Sequence, residues 1–305
     1  MKVLITGVAG FIGSNLADYL IKKNIDVIGV DNLSYGVIEQ VPKKVKFHDI
    51  DIRDQDISQY FKGIDYVFHL AAKNSIIDCE NEPDETHDIN VVGTKNIFEA
   101  SIKNKVKKVI YAESSAVYEG SKNLPSNESD VHPISIYAKS KLETNRIASH
   151  YFKKCNLPTT GLRYFNVYGP RQDYRRTIPP VFSAFIIKLL NGERPTIYGN
   201  GSKKRDFIYV DDVNLFHSMC IDNKKTDNKI FNLGYGENFS INEIYNEISE
   251  ILNVDIKPIF EKNLDFEAQE NLANINNALS VGWKPNTNLK EGLKKSIDYI
   301  KMNVI

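Results

Sequence analysis

Three closely spaced glycines near the amino terminus constrain the fold of this chain more than any other feature. The segment Gly7-Val8-Ala9-Gly10-Phe11-Ile12-Gly13 follows the apolar run Lys2–Thr6 and leads into an amphipathic pattern. Glycines let the backbone turn tightly and approach a pyrophosphate, and the next helix contributes unpaired N–H groups and a partial positive charge. A turn that merely needs glycine explains one of these residues but not three at this spacing. The segment therefore predicts a strand–turn–helix unit that binds a dinucleotide.

Short β-branched runs alternate with helical patterns through the first half of the sequence. The predicted strands are Lys2–Thr6, Asp26–Val30, Val45–His48, Asp65–Leu70, Lys107–Ala112 and Thr159–Arg163. The predicted helices are Ile12–Lys23, Asp84–Lys103 and Tyr137–Lys154, with a short one near Ile57–Phe61. This alternation predicts an α/β protein with a Rossmann-like doubly wound parallel sheet that is covered by helices on both faces. Ligands of such sheets bind at the carboxyl ends of the strands.

After about Arg163 this rhythm loosens, and loops containing glycine and proline separate shorter elements. Helical patterns return at Val210–Ile221, Ile241–Leu252 and Leu289–Met302. We therefore expect a dinucleotide-binding domain over residues 1–165, to which a segment near 206–235 returns. A smaller α+β domain that binds mainly the substrate is expected over residues 166–305.

The charge balance and the cysteines argue against several functional classes. The chain of 305 residues has 39 Lys and Arg and 39 Asp and Glu, so it lacks the basic excess of a general nucleic-acid binder. Its three cysteines form neither a metal-ligand spacing nor a disulfide framework, so no metal is expected. Glycines interrupt the apolar amino terminus, which argues against a signal peptide, and no segment approaches the roughly 20 apolar residues of a membrane span. We expect a cytoplasmic protein with no nucleic-acid or membrane partner.

An acidic residue at the end of the second strand favours NAD over NADP. Asp31 lies 18 residues after Gly13, where a carboxylate can accept hydrogen bonds from both ribose hydroxyls of the adenosine and repels a 2′-phosphate. Asn32 follows, with no arginine beside it. Asp51-Ile52, after the third strand, is a candidate adenine contact, although a solvated loop carboxylate is an almost equal alternative for Asp51.

A tyrosine and a lysine open the helix predicted over residues 137–154. Tyr137 and Lys141 are four residues apart and therefore share a helix face. A phenolate at neutral pH requires the pKa of a free tyrosine, about 10, to fall by about 3, which corresponds to about 4 kcal/mol. The positive charges of the Lys141 ammonium and of the nicotinamide ring can lower the tyrosine pKa by this amount. Lys141 can also bind the nicotinamide ribose. Such a pair is usually structural, but the glycine-rich segment upstream favours catalysis.

Further motifs follow one another along nearly the whole chain. They are His69-Leu70-Ala71-Ala72, Asn90-Val91-Val92-Gly93-Thr94, Ser114, Tyr137-x-x-x-Lys141, Leu162–Arg171, Arg205–Asp212 and Leu279–Trp283. Together with the glycine-rich segment, they resemble the extended short-chain dehydrogenase/reductase family. Within it the chain looks most similar to the NAD-dependent nucleotide-sugar epimerases of the UDP-N-acetylglucosamine and UDP-glucose 4-epimerase type.

The resemblance implies roles for individual residues. Tyr137 is the base that takes the proton of a sugar hydroxyl, and Ser114 hydrogen-bonds the same hydroxyl. Asn166 and Arg205 bind the substrate pyrophosphate, and Asn90 helps to hold the site at the next strand's end. The remaining cofactor contacts fall on Leu70, Ala71, Ala72 and Tyr164. The resemblance also implies a homodimer through the helices at about 84–103 and 137–154.

The residues after Ser114 discriminate among the reactions of the family. By resemblance, dehydratases carry Asp or Glu immediately after this position and decarboxylases carry Glu two residues after it, whereas this chain has Ser115 and Ala116. Glu113 is expected to face away from Ser114 because strand side chains alternate, and Glu119 lies in the following loop. Both are expected to be solvated or structural.

Without an extra acid and base, the expected reaction is reversible oxidation at C4 of a UDP-sugar through a transient 4-keto intermediate, which inverts C4. A 4,6-dehydratase, a UDP-uronate epimerase or decarboxylase, and a non-catalytic NAD sensor remain alternatives.

A segment near the carboxyl terminus bears on which sugar is bound. By resemblance, relatives restricted to plain hexoses carry a bulky tyrosine at the position of Asn271. The smaller asparagine therefore predicts room for an N-acetyl group. UDP-N-acetylglucosamine and UDP-N-acetylgalactosamine are the favoured pair, UDP-glucose and UDP-galactose the second, and an acidic sugar stays open. Ser75 and Ser115 are further candidate sugar contacts. Leu264 replaces an arginine typical of the family, and Lys262 is a candidate to compensate for it.

Overall fold

The computed structural model describes residues 1–176, 179–263 and 268–305. Its strands are β1 (Lys2–Thr6), β2 (Asp26–Asp31), β3 (Lys46–Asp49), β4 (Tyr66–His69), β5 (Lys108–Ser114), β6 (Thr159–Tyr164), β7 (Asn166–Tyr168), β8 (Thr196–Tyr198), β9 (Lys204–Tyr209), β10 (Lys229–Leu233), β11 (Asn238–Ser240) and β12 (Ile259–Glu261). Its α-helices are α1 (Phe11–Lys22), α2 (Ile76–Asn81), α3 (Pro83–His87), α4 (Thr94–Lys103), α5 (Ile136–Cys155), α6 (Val181–Leu190), α7 (Val210–Met219), α8 (Ile241–Leu252), α9 (Asn276–Ser280) and α10 (Leu289–Asn303).

Seven of these strands form one parallel sheet, which confirms the predicted α/β fold. The strand order is β10-β6-β5-β4-β1-β2-β3, and every neighbouring pair is parallel. The order reverses between β1 and β4, which makes their carboxyl ends the topological switch point where such sheets bind ligands.

Alternate residues of the central strands supply two separate cores. Val3 and Ile5 pack with α1 and α7 residues such as Leu16 on one face of the sheet. Leu4 packs with α4 residues such as Ile97 on the other face. Side chains of a strand point alternately to opposite faces, so a run of apolar residues such as VLI is what a sheet covered on both sides requires.

The helix predicted over Asp84–Lys103 is present, but it contains a π-helical segment that the sequence did not reveal. The chain forms α3, a π-helical turn over Asp88–Gly93, and then α4 without a break between them. A Cβ atom on Gly93 would lie 2.6 Å from Cδ1 of Ile52, so the turn passes close to the loop after β3. Such π turns widen a helix locally and often occur at functional sites.

The second half of the chain adds a smaller α+β region. Strands β7, β9 and β11 form a three-stranded sheet, and β8 pairs with β12. Helices α6, α8 and α10 pack around a core that contains Tyr168, Phe182 and Phe207. Strand β10 joins β6 in the large sheet, so part of this half contributes to the larger core. The domain limits at residue 165 and near 206–235 stay predictions.

Two remaining expectations concern residues 262 and 264 and segments that could span a membrane. Leu264 lies outside the described residues, and Lys262 is exposed. In the part of the chain that the structure describes, no helix is both long and apolar enough to span a membrane.

Candidate active site

Two adjoining cavities lie where the large sheet meets the smaller region. The first, here called the switch-point cleft, has a volume of about 360 Å³ and lies at the carboxyl ends of β1, β2, β4 and β5. The second, here called the β9 cavity, has a volume of about 650 Å³ and lies between β9, α6 and β8. Val167, Gln172 and Pro180 line both, so the two cavities share a wall. Their volumes are in the range of small-molecule sites.

The glycine-rich turn forms the floor of the switch-point cleft. Gly7 has a φ of +71°, and a Cβ atom there would lie 2.8 Å from the backbone nitrogen of Ala71. A Cβ atom on Gly13 would lie 2.1 Å from the carbonyl oxygen of Gly7. Helix α1 begins directly after Gly10 with no side-chain cap and no acidic residue in its first turn. The helix therefore presents unpaired N–H groups that fit a pyrophosphate.

Asp31 and Asp51 line the cleft where β2 and β3 end. The Asp31 carboxylate accepts hydrogen bonds from the backbone N–H groups of Ala9 at 3.0 Å and Leu33 at 2.9 Å, and burial raises its pKa. Asp51 is not simply solvated, because it accepts from Asn32 at 2.7 Å and pairs with Arg53 at 2.7 Å. The Arg53 guanidinium lowers the Asp51 pKa and keeps this carboxylate ionised.

Nearly all residues expected to contact the cofactor line this cleft. They are Gly7, Gly10, Phe11, Ile12, Gly13, Asp31, Asn32, Asp51, Ile52, Leu70, Ala71, Ala72, Tyr137, Lys141 and Tyr164. The tight turn, the bare helix terminus and the acidic residue after β2 fit a bound NAD. Within the described ranges, no group of His, Cys, Asp and Glu side chains is arranged to hold a metal ion.

Ser114, Tyr137 and Lys141 meet on the wall of the cleft. Ser114 ends β5, and its Oγ accepts a hydrogen bond from the backbone N–H of Ala116 at 3.2 Å, which leaves the hydroxyl proton for another acceptor. Ser135 caps α5 by accepting from the backbone N–H of Ala138 at 3.1 Å. The cap fixes the first turn of α5, and Tyr137 and Lys141 both line the same cleft as the glycine turn.

Burial dominates the protonation states of the tyrosine and the lysine. It raises the pKa of Tyr137 to about 12, while the side chain of Ser114 and the charge of Arg176 act to lower it. Burial lowers the pKa of Lys141 to about 8, while Glu113 acts to raise it. The effects that lower the Tyr137 pKa do not outweigh burial, so Tyr137 is a neutral phenol at neutral pH in this structure.

The two glutamates beside Ser114 are structural. Glu113 is not solvated as one expectation allowed, because its carboxylate pairs with the buried Arg163 guanidinium at 2.7 Å and both side chains are at most 1% exposed. Glu119 accepts hydrogen bonds from the backbone N–H and the hydroxyl of Ser135, both at 2.9 Å. Glu119 therefore holds the start of α5, and Arg163 binds one oxygen of the Glu113 carboxylate.

Asn90 lies behind the cleft rather than on its lining. It is buried in the π-helical turn before α4, within the range predicted as helix, and its expected contact with the cofactor stays a prediction. Its side chain accepts from the backbone N–H of Lys73 at 2.8 Å and donates to the Lys73 carbonyl and the Ser140 hydroxyl, both at 2.9 Å. Asn90 thus fixes the loop after β4 against α5.

The expected substrate contacts divide into two groups. Asn166 and Arg205 line the β9 cavity. Ser75, Ser115 and Asn271 are not among the described residues that line either cavity. Ser75 caps α2 by accepting from the backbone N–H of Asp78, and Ser115 opens a 3-10 turn. Asn271 accepts from the Asn166 side chain at 3.2 Å and from the Asp206 backbone N–H at 2.8 Å.

Several lining residues were not identified from the sequence. The cleft is also lined by Tyr35, Lys73, Asn74, Gln172, Asp173 and Arg176. The Arg176 guanidinium donates to the Asn74 side chain at 2.9 Å and so joins the loop after β7 to the loop after β4. The density of charge in Arg171-Gln172-Asp173-Tyr174-Arg175-Arg176 is the sequence signal that points to this loop.

A glycine turn at a switch point, facing a tyrosine and a lysine on one helix, is the arrangement of a Rossmann-type enzyme that exchanges hydride with a dinucleotide. A family model described as the NAD dependent epimerase/dehydratase family matches residues 3–234. The chain belongs to this family, which identifies NAD as its cofactor.

Individual relatives agree with this assignment over their whole length. A UDP-glucose 4-epimerase of Mycolicibacterium smegmatis is 32% identical over 311 residues, with 99% of each chain covered. The crystal structure of UDP-glucose 4-epimerase with UDP-glucose from Thermotoga maritima is 34% identical, with a TM-score of 0.96 and 100% of both chains covered. A UDP-N-acetylglucosamine 4-epimerase from Methanobrevibacter ruminantium M1, in complex with UDP-N-acetylmuramic acid, is 33% identical, with a TM-score of 0.95 and 99% of both chains covered.

Proposed function

We propose that the protein is a UDP-sugar 4-epimerase whose preferred pair is UDP-N-acetylglucosamine and UDP-N-acetylgalactosamine. UDP-glucose and UDP-galactose are the second pair. The observation that carries the proposal is the junction of the two cavities. A cleft that fits NAD and contains Ser114, Tyr137 and Lys141 adjoins a larger cavity that contains Asn166 and Arg205. A nucleotide held in the second cavity places its sugar towards the first.

The side chains of the cleft support proton transfer at a sugar hydroxyl. Gly7, Asp31 and Lys141 line the cleft that would hold NAD, which would supply an acceptor and donor of hydride for C4 of the sugar. Tyr137 removes the proton of the C4 hydroxyl and later returns it, and the Ser114 hydroxyl, which interacts with Tyr137, hydrogen-bonds the same sugar oxygen. The buried Lys141 ammonium orients the nicotinamide ribose and favours the phenolate of Tyr137.

The nearby carboxylates favour epimerisation over elimination. A dehydratase needs an additional acid and base beside the keto sugar. Ser115 and Ala116 offer no carboxylate, Glu113 is paired with Arg163, and Glu119 is bonded to Ser135. A non-catalytic NAD sensor has no need for a tyrosine base, so the complete Ser–Tyr–Lys set argues against that alternative.

The contacts of Asn271 support room for an N-acetyl group. Its side chain is short and bonds to β7 and to the backbone of β9. Because Asn271 is on the described lining of neither cavity, it does not occupy the space that the bulky tyrosine expected here in hexose-restricted relatives would fill. A homodimer through the helices at 84–103 and 137–154 stays a prediction, and light scattering of the purified protein tests it.

Proton NMR of product mixtures from UDP-N-acetylglucosamine, UDP-glucose and UDP-glucuronate tests the proposal. We expect UDP-N-acetylgalactosamine to form fastest, with no stable keto sugar. Accumulation of a keto product, or release of CO2 from UDP-glucuronate, would instead identify a dehydratase or a decarboxylase. Absence of turnover with all three, with NAD still bound, would favour the sensor.

A further inference from the structure

Alternate residues at the start of β9 line the β9 cavity. Lys203, Arg205 and Phe207 all contribute to its wall. The intervening residues face elsewhere: Lys204 is exposed, and the Asp206 carboxylate accepts backbone hydrogen bonds from residues 235, 236 and 273. This is the period of two that a strand imposes on its side chains. Lys203 therefore shares a face of β9 with Arg205.

Lys203 is held in a fixed position and is largely excluded from water. Its residue is only 8% exposed. Its carbonyl accepts from the backbone N–H of Ile241 at 3.1 Å, and the carbonyl of Gly201 accepts from that of Asn242 at 3.0 Å, so the first turn of α8 anchors this backbone. A cation that little water screens attracts an anion more strongly than a surface lysine does.

The charges on the described lining favour an anionic ligand. Besides Lys203 and Arg205, the charged lining residues are Lys188 and Glu193. Those two pair with each other at 2.9 Å and neutralise one another. Lys203 and Arg205, which also take part in other interactions within the chain, therefore bring two cationic side chains together on one face of β9.

We propose that Lys203 is a second cation that binds the diphosphate of the nucleotide-sugar, beside Arg205. The inference rests on the proposed function, because it takes the ligand of this cavity to be a nucleoside diphosphate. A diphosphate carries charge on both phosphates, and two cations at alternate strand positions match it better than one. Lys262, the candidate for this role from the sequence, is exposed and is not on the described lining of the β9 cavity, whereas Lys203 is.

Calorimetric binding of UDP and of uridine to the NAD-loaded enzyme tests this role. Lys203→Met keeps the apolar stem and removes the charge. We expect it to weaken UDP binding about 10- to 100-fold, as the loss of a charge-assisted hydrogen bond does, and to leave uridine binding unchanged. Lys204→Met is the matched control, because this neighbour lies on the exposed face, and it should bind both ligands as the wild type does. Lys203→Arg should restore most of the UDP affinity.

Turnover and stability complete the test. Lys203→Met should raise the KM for the UDP-sugar by a similar factor and change kcat by less than about threefold, since the diphosphate contact is equal in ground and transition states. If Lys203→Met has a lowered melting temperature, Lys203→Gln is measured in its place. UDP binding equal to that of Lys204→Met, or an equal loss of uridine binding, would overturn the role. Failure of the wild type to bind UDP would overturn both the role of Lys203 and the proposed function. UDP binding without turnover of any sugar would overturn the proposed function alone.

Discussion

Removing the charge of Glu113 should destabilise the protein, because this carboxylate forms a buried ion pair with Arg163. The Glu113 carboxylate lies 2.7 Å from Nε of Arg163, and neither side chain is more than 1% exposed. Breaking a buried ion pair by removing one partner costs about 3–5 kcal/mol, because the other charge stays buried without compensation.

The structure places the expected loss at the lower end of this range. Arg163 also donates to the Tyr118 hydroxyl at 2.9 Å and to the Glu128 carbonyl at 2.6 Å, and a glutamine at position 113 can still accept from Nε. We therefore expect Glu113→Gln to lower the free energy of unfolding by about 3 kcal/mol. Because Glu113 also acts to raise the Lys141 pKa, the variant should lose activity at a lower pH on the alkaline side.

Urea denaturation monitored by circular dichroism measures the first effect, and the pH profile of kcat measures the second. Glu113→Gln combined with Arg163→Met removes both charges, so it should cost less than the sum of the single variants. A loss below about 1 kcal/mol for Glu113→Gln, with an unchanged pH profile, would refute the structural role of the pair.

Three further variants test the construction of the cleft. Gly13→Ala places a Cβ atom 2.1 Å from the Gly7 carbonyl, so the purified variant should contain little NAD on extraction; wild-type NAD content would count against the tight turn. Asn90→Ala leaves buried backbone groups of Lys73 without partners and should lower the free energy of unfolding by about 1–3 kcal/mol, and a variant as stable as the wild type would exclude this role. Burial lowers the Lys141 pKa from 10.5 to about 8, so between these values the unfolded chain holds a proton that the folded chain has lost, and stability from this group rises with pH. Denaturation of wild type and Lys141→Met from pH 7 to 10 should show that rise in the wild type alone, and parallel curves would contradict the shifted pKa.

Periodicity and turn chemistry predicted most of the scaffold because these signals are local. The strand at Lys2–Thr6 and the helix at Ile241–Leu252 were predicted to the residue. The shared face of Tyr137 and Lys141 also follows from spacing along a single helix. In each case the residues that decide the structure are neighbours in the sequence.

The errors arise where distant segments meet. The π turn before α4 depends on the approach of Gly93 to Ile52 and on the bonds of Asn90, which no helical period reveals. Alternation predicted that Glu113 points away from Ser114, but it did not reveal that the Glu113 carboxylate is buried and paired with Arg163 rather than with water. The sequence does not reveal that Lys203 lines a cavity, because this depends on how β9 packs against α6 and β8.

The central claim is that the enzyme removes a hydride from C4 of the sugar and returns the same hydride to the opposite face. Turnover of UDP-N-acetylglucosamine that carries deuterium at C4, followed by NMR in ordinary water, tests this directly. We predict UDP-N-acetylgalactosamine that retains the deuterium at C4, with turnover about 10²–10⁴-fold slower for Tyr137→Phe, whose fold and NAD content are unchanged. Loss of the deuterium to solvent, or wild-type turnover by Tyr137→Phe, would contradict it.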